Sequence, residues 1–192
     1  MERNLSVNPV VTSKQEILQT CQRMIREQGW SVINIRNVAS ACGVSVGSIY
    51  NYFSNKSELN TAVVESIWRD IFNETPESMM RLQTLSECIQ WIYDCMEEGE
   101  RKYPQFYSIH SMSFSGLDKH EGQSLMFRTW DHIKHGLVRV IKLDNAIKED
   151  AFDASFTPDE LVEVVFSYMI ASLVQRNYNC EGLIAMVNKL LY

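Results

Sequence analysis

The sequence has no run of eighteen or more apolar residues, and its five cysteines form no CxxC pair. The first absence argues against a membrane-spanning helix, and the N-terminal stretch MERNLSVNPVV lacks the long apolar segment of a signal peptide. The odd cysteine count and the spacing argue against a disulfide framework and a structural zinc site. We therefore expect a cytoplasmic protein with reduced cysteines, no membrane partner, no bound metal and no cofactor.

Two further absences narrow the fold and the function. Alternation of apolar and polar residues with period two is nowhere sustained, whereas helical periodicity is long and frequent, so an all-α protein is predicted. No nucleophile elbow, phosphate-binding glycine loop or HExxH motif occurs. An enzyme is therefore not indicated.

Charge is distributed unevenly along the chain. The net charge is -6, but residues 1–60 carry six basic and four acidic residues, a net of +2, while the remainder carries -8. The two parts have different electrostatic roles. We predict a small N-terminal domain, 1–60, followed by a larger helical domain, 61–192.

The N-terminal part shows local signals for two helices. Ser13 is a plausible N-cap with Glu16 at the capping-box position, which predicts a helix to about residue 28 that ends at Gly29. A shorter helix fits residues 35–42 with Asn34 as its cap. Gly43 then closes it in a left-handed conformation.

A third helix is predicted over residues 46–52, with Ser45 as its cap. Val46, Ile49 and Phe53 fall on one line at spacing i, i+3, i+7, which predicts a buried stripe. The fourth helix begins behind an Asn-x-x-Glu cap, Asn55 to Glu58, and is expected to continue towards Thr75 and Pro76. Further helices are expected over residues 85–102, 104–114, 122–147, 157–178 and 181–191.

The two short helices joined by ACGVS form a helix-turn-helix pattern, in which the turn needs glycine and the second helix is presented to the major groove of DNA. Gly29 and the following NIRNVASACGVSVGSIYNYFSNKSEL resemble the N-terminal DNA-binding domain of the TetR family of bacterial transcriptional regulators. In the family pattern the position of Ser48 is usually Thr, that of Ile49 usually Leu and that of Tyr52 often His.

The resemblance implies a homodimer with two DNA-binding heads, and a helical body that dimerises and binds a small effector, which then moves the heads. Tyr50 and Lys56 are expected to contact phosphates, whereas Ser48, Asn51 and Tyr52 are expected to read bases. The full DNA-binding set predicted is Arg36, Ser45, Val46, Gly47, Ser48, Tyr50, Asn51, Tyr52 and Lys56. Three of these residues have a structural alternative. Tyr50 could be an ordinary surface aromatic, and Asn51 and Tyr52 could be solvated side chains.

Residues 157–178 begin with a Thr-Pro cap and then become apolar almost all round, which is typical of a helix buried on both sides. One side could face its own domain and the other a partner subunit, although a wholly intramolecular core helix is the alternative. The predicted dimerisation residues are Leu161, Val165, Leu173, Leu183, Val187 and Leu190.

Many methionine and aromatic residues lie between residues 79 and 130. Most of it is ordinary core, and a subset is expected to line an apolar pocket with a few polar groups. The predicted ligand-binding residues are Cys88, Trp91, Cys95, Trp130 and Tyr168. His132 and His135 could share a helix face and bind metal, but a solvated surface is the better interpretation because no further ligand is near in sequence.

The leading hypothesis from the sequence is a ligand-responsive, DNA-binding transcriptional regulator, and specifically a repressor that a small apolar or amphipathic effector releases from its operator. A co-regulator or interaction protein on the same fold is one rival, motivated by the small +2 charge of the head. An enzyme using the body pocket is the other rival, motivated only by His110 and the histidine pair.

Overall fold

The computed structural model describes residues 12–72, 82–107 and 119–192, with the side chains of 119–129 left out. In these ranges the chain forms eight α-helices and one short 3-10 helix, Trp30–Val32. The α-helices are α1 (Lys14–Gln28), α2 (Ile35–Ala41), α3 (Val46–Tyr50), α4 (Lys56–Ile71), α5 (Leu85–Lys102), α6 (Lys119–Leu143), α7 (Pro158–Gln175) and α8 (Glu181–Leu191). The predicted all-α class is confirmed.

The chain divides into two units, residues 1–67 and 68–192, so the division falls within α4. The expected border at residue 60 was drawn at the start of the same helix. In the first unit, α1 packs on α2 and α2 on α3. Its core includes Ile17, Val38, Ile49, Phe53 and Leu59, all fully buried.

Local signals explain where the helices of the first unit begin and end. Ser13 and Glu16 form the predicted capping box, and Gly29 ends α1 with φ of 81°. The Asn34 side chain accepts a hydrogen bond from the backbone N–H of Asn37. Each of these interactions joins residues at most four apart, so the sequence alone specifies them.

Two expectations in this unit were wrong in detail. Val46 is 40% exposed, so the buried line of the third helix is carried by Ile49 and Phe53 alone. That helix ends at Tyr50, two residues before the expected end, and Asn51 is its C-cap. Of the five residues in this helix, only Ile49 is buried.

In the second unit, α6 packs on α7 and on α5, and α8 packs on α5. The buried hydroxyls of Tyr93 on α5 and Ser172 on α7 hydrogen-bond to each other at 2.8 Å. The predicted bounds 85–102 and 181–191 are those observed. α7 ends at Gln175 instead of residue 178 because Arg176 takes a left-handed conformation, with φ of 53°.

Two other helix ends differ from expectation or lie outside the described residues. α6 ends at Leu143, before the expected residue 147, and the Asp144 carboxylate accepts from the Ala146 backbone N–H in the turn that follows. The predicted end of the fourth helix at Thr75 and Pro76 lies outside the described residues, as do His110 and most of the helix expected over 104–114. Among the residues that are described, none of the helices is long and apolar enough to cross a membrane.

Candidate nucleic-acid interface and ligand site

The turn between α2 and α3 is set by Gly43. Its φ of 67° lies in the left-handed region, where a side chain is strained. Its N–H donates to the carbonyl of Ser40 at 3.1 Å, and the Val44 N–H donates to that of Ala39 at 3.0 Å. These hydrogen bonds satisfy carbonyls at the end of α2 and fix the direction in which α3 begins.

α3 presents an exposed, uncharged surface. Ile49 is its only buried residue, while Val46 is 40% and Tyr50 51% exposed. Gly47 and Asn51 are exposed as well. A helix with one apolar anchor and an open outer face has the shape that a DNA groove accepts.

Two serines organise the start of α3. The Ser45 side chain accepts from the Ser48 N–H at 3.1 Å, and the two hydroxyl oxygens lie 2.9 Å apart. The Ser45 hydroxyl is therefore engaged in capping, so its contribution to an interface is to hold the helix. Ser48 keeps hydrogen-bonding capacity, because a hydroxyl has one donor and two acceptor sites.

Tyr52 differs from the other members of the predicted base-reading set. It is half-buried, and its hydroxyl donates to the backbone carbonyl of Thr12. This engagement favours an anchoring role inside the head over base reading. The sequence carries no signal for the pair, because the two residues are forty positions apart and Thr12 belongs to no motif.

Lys56 and Arg36 supply exposed positive charge beside α3. Lys56 is the first residue of α4, and Arg36 lies in the first turn of α2. Lys14 adds a third cation, whose ammonium lies 5.2 Å from the centre of the Phe53 ring. The Lys14–Phe53 pair is a cation–π contact that joins α1 to the segment following α3.

The start of α4 is capped by two different residues. The Asn55 side chain accepts from the Glu58 N–H at 2.9 Å, as predicted. The Glu58 carboxylate, however, accepts from Ser54, through its N–H at 2.7 Å and through its hydroxyl. These hydrogen bonds lower the pKa of Glu58.

The predicted ligand-binding residues fall in different environments. Cys88 is buried in the core of the body, and Cys95 is half-buried. Trp91 tilts against Phe72 at 5.9 Å between ring centres, whereas Trp130 meets the edge of Phe166 at 5.4 Å. Tyr168 is 47% exposed. A shared cavity for these residues therefore stays a prediction, and Tyr168 lies on the outside of the single chain.

The predicted dimerisation residues are mostly interior to their own chain. Leu161, Val165, Leu183 and Val187 are buried in the body core, while Leu173 and Leu190 are half-buried. Side chains that their own chain already covers cannot form the surface that meets a partner. The large apolar residues that the last two helices leave exposed are Val164, Tyr168, Val174 and Met186.

His132 and His135 were weighed as a metal-binding pair. His132 and His135 are both exposed. No group of three His, Cys, Asp or Glu residues suited to a metal ion is found within the described ranges. The solvated-surface interpretation of the pair fits this placement.

Comparison with known proteins gives a family match for the N-terminal region and a similar repressor. Residues 17–63 match the family model of bacterial regulatory proteins, tetR family. The HTH-type transcriptional repressor KstR2 of Mycobacterium tuberculosis is 28% identical over 83 residues, which are 40% of this chain and 42% of that protein. The chain thus spans less than half the length of this curated relative.

Two solved structures show the same fold along most of the chain. BioQ with its double-stranded DNA operator matches with a TM-score of 0.56 at 20% identity, covering 94% of this chain and 98% of that one. The multidrug binding protein EbrR complexed with imidazole matches with a TM-score of 0.55 at 14% identity, covering 93% and 89%. At these identities the likeness establishes the fold. The N-terminal region, residues 17–63, is thus that of a bacterial regulatory protein of the tetR family, and the chain shares the fold of these two solved structures.

Proposed function

We propose that this protein is a transcriptional repressor that binds an operator as a homodimer and is released from it by a small apolar or amphipathic effector. The observation that carries the proposal is α3: it is capped by Ser45, anchored by the buried Ile49, and exposes Val46, Gly47, Tyr50 and Asn51. The names of two similar proteins, a repressor and a protein solved with its operator, support it.

The proposed interface separates anchors from readers. Arg36, Lys56 and Lys14 supply charge for phosphates, and the exposed Tyr50 hydroxyl is suited to a phosphate or sugar contact. Asn51 has the geometry for a bidentate contact with adenine. Because α3 carries no charge of its own, the salt-dependent part of binding falls to its neighbours.

The homodimer is proposed to form through the exposed face of α7 together with α8. Val164, Tyr168 and Val174 are the large apolar side chains of α7 that its own chain leaves exposed, at 52%, 47% and 69%. Large apolar side chains left exposed on a helix are typical of an interaction site when a partner covers them. A two-fold axis would bring the same face of a second chain against it.

Selection of genomic fragments by the purified protein tests DNA binding. We expect a few fragments with a two-fold symmetric sequence, whose half-site centres lie about 34 Å or a multiple of it apart. The matched control is the variant Asn51→Ala with Tyr50→Ala, which should select no such sequence. A location in the cytoplasm follows from the proposal.

A co-regulator with little DNA affinity is the second candidate, favoured by the net +2 of residues 1–60 and by the absence of charged side chains on α3. In that case the selection would give no enrichment at about 0.1 M salt, where the electrostatic part of binding is screened over roughly 10 Å. Recovery of a protein partner by the same preparation would then support the second candidate.

A further inference from the structure

Three buried side-chain atoms in the second unit have no hydrogen-bond partner among the residues that the structure describes. They are Nε1 of Trp68, Oε2 of Glu100 and the hydroxyl oxygen of Tyr178. A buried polar atom without a partner destabilises the fold, and native proteins hold few of them. Three such atoms in the second unit therefore require an explanation.

The first atom lies among aromatic rings. Trp68 is only 7% exposed, and its ring is 5.4 Å from that of Phe106, 5.6 Å from that of Tyr107 and 5.8 Å from that of Phe72. This is an apolar environment in which a hydrogen bond to Nε1 would be strengthened by the low dielectric.

Tyr107 connects this aromatic cluster to α5. Its hydroxyl donates to the carbonyl of Met96 at 3.1 Å, so this phenol is satisfied. A Cβ at residue 99 would lie 2.4 Å from the same hydroxyl oxygen, and therefore only glycine leaves it room. Glu100 is the next residue along α5.

Only one of the two carboxylate oxygens of Glu100 has polar neighbours. Its Oε1 lies 3.8 Å from Nε of Arg176 and 3.4 Å from the Gln105 backbone nitrogen, whereas Oε2 is buried and unpaired. Tyr178 follows two residues after Arg176. Burial first, and then the charge of Glu100, raise the pKa of Tyr178 to about 12, as expected for a phenol close to a carboxylate.

We propose that Trp68, Glu100 and Tyr178 are the polar contacts of the effector site, and that the effector is a flat aromatic compound carrying an ammonium group and an oxygen acceptor. The inference rests on the proposed function, in which the body binds a small molecule. A carboxylate accepts only, so the ligand must donate to Oε2, and a buried carboxylate favours a cation. The indole N–H donates only, so the ligand must offer it an acceptor. The aromatic rings suit a flat apolar ligand.

The test uses three matched probes and the full-length protein. The probes are 2-(2-naphthyloxy)ethylamine, 2-(2-naphthyloxy)ethanol and 2-naphthyloxyacetate, which share the ring and ether oxygen and differ in the charge of the end group. By calorimetric titration, we expect the amine to bind about tenfold or more tightly than the alcohol, and the anion to bind weakest.

Variants locate the contacts. Glu100→Gln should weaken binding of the amine about tenfold or more and leave the alcohol within about twofold, because only the charge-assisted hydrogen bond is lost. Glu98→Gln is the control, since Glu98 is exposed and pairs with Arg101. Tyr178→Phe should weaken amine binding without lowering the unfolding temperature, because it removes a hydroxyl that has no partner.

Three results would overturn the inference: equal affinities for all three probes, no binding at millimolar concentration, or the same effect from Glu100→Gln and Glu98→Gln. Titration of the selected DNA with the same samples separates this failure from that of the proposed function. Protein that binds the DNA but does not prefer the amine contradicts the effector assignment alone. Protein that prefers the amine but binds no DNA contradicts the repressor alone.

Discussion

The hydroxyl of Tyr52 donates a hydrogen bond to the backbone carbonyl of Thr12, forty residues earlier in the chain. This bond ties the segment after α3 to the residue that precedes the cap of α1. A side chain beside the proposed DNA-reading helix is thereby used to hold the head together.

Tyr52→Phe tests this anchoring role. Loss of the hydrogen bond should lower the unfolding free energy of the head by about 1 kcal/mol, the net value of such a bond. DNA affinity should fall equally on the selected operator and on random DNA. Chemical denaturation and DNA titration measure the two effects. A loss confined to the operator, with unchanged stability, would make Tyr52 a base reader instead.

Asn51→Ala and Lys56→Ala are expected to behave differently. Asn51→Ala should cost about 1 to 3 kcal/mol per half-site on the operator and much less on random DNA, because a base contact is lost. Lys56→Ala should weaken both and lower the salt slope by roughly one unit per lost phosphate contact. Titrations over a salt series measure both variants. An equal loss on both DNAs for Asn51→Ala would contradict its role as a reader.

Val174→Asp tests the proposed dimer face. Val174 is 69% exposed, so the substitution should leave the folded chain intact and place a charge in the interface, which shifts the protein to monomers. Leu143→Asp is the matched control, since Leu143 is 67% exposed and lies at the end of α6. Sedimentation at micromolar concentration measures the oligomeric state. A monomeric wild type, or dissociation by both variants, would refute the assignment.

Gly99→Ala and Gly136→Ala form a second matched pair. A Cβ at residue 99 would meet the Tyr107 hydroxyl at 2.4 Å and Ile71 at 3.0 Å, so Gly99→Ala should destabilise the body by about 1 to 3 kcal/mol. At Gly136 nothing lies within 4 Å, and alanine should stabilise α6 by up to about 1 kcal/mol. Thermal unfolding of both variants measures these effects. Equal shifts would argue that residue 99 is not closely packed.

The cap at Glu58 predicts a pH dependence. Because hydrogen bonds from Ser54 lower the pKa of Glu58 in the folded head, its stabilising effect is present above the pKa of the unfolded chain. It is lost as the pH falls through the lower pKa of the folded state. The stability difference between wild type and Glu58→Gln should therefore shrink as the pH falls below about 4. Denaturation curves at a series of pH values measure it, and a constant difference would show that the charge of Glu58 is irrelevant.

The sequence by itself determined the features that depend on neighbours along the chain. The capping residues Ser13, Asn34 and Ser45 and the left-handed Gly43 were all predicted, because each acts within about four residues of itself. The helix-turn-helix pattern follows from the same local rules, and Asn34, Gly43 and Ser45 lie within residues 17–63, which match the tetR family model.

Only the tertiary structure decided which apolar side chains are inside and which polar atoms are satisfied. The composition of α7 is apolar nearly all round, so periodicity could not tell that Leu161 and Val165 face the core while Val164 and Val174 are left exposed. The unpartnered atoms of Trp68, Glu100 and Tyr178 come from segments far apart in the sequence. No local pattern records whether such an atom is buried or satisfied, because burial depends on contacts with segments distant in the chain.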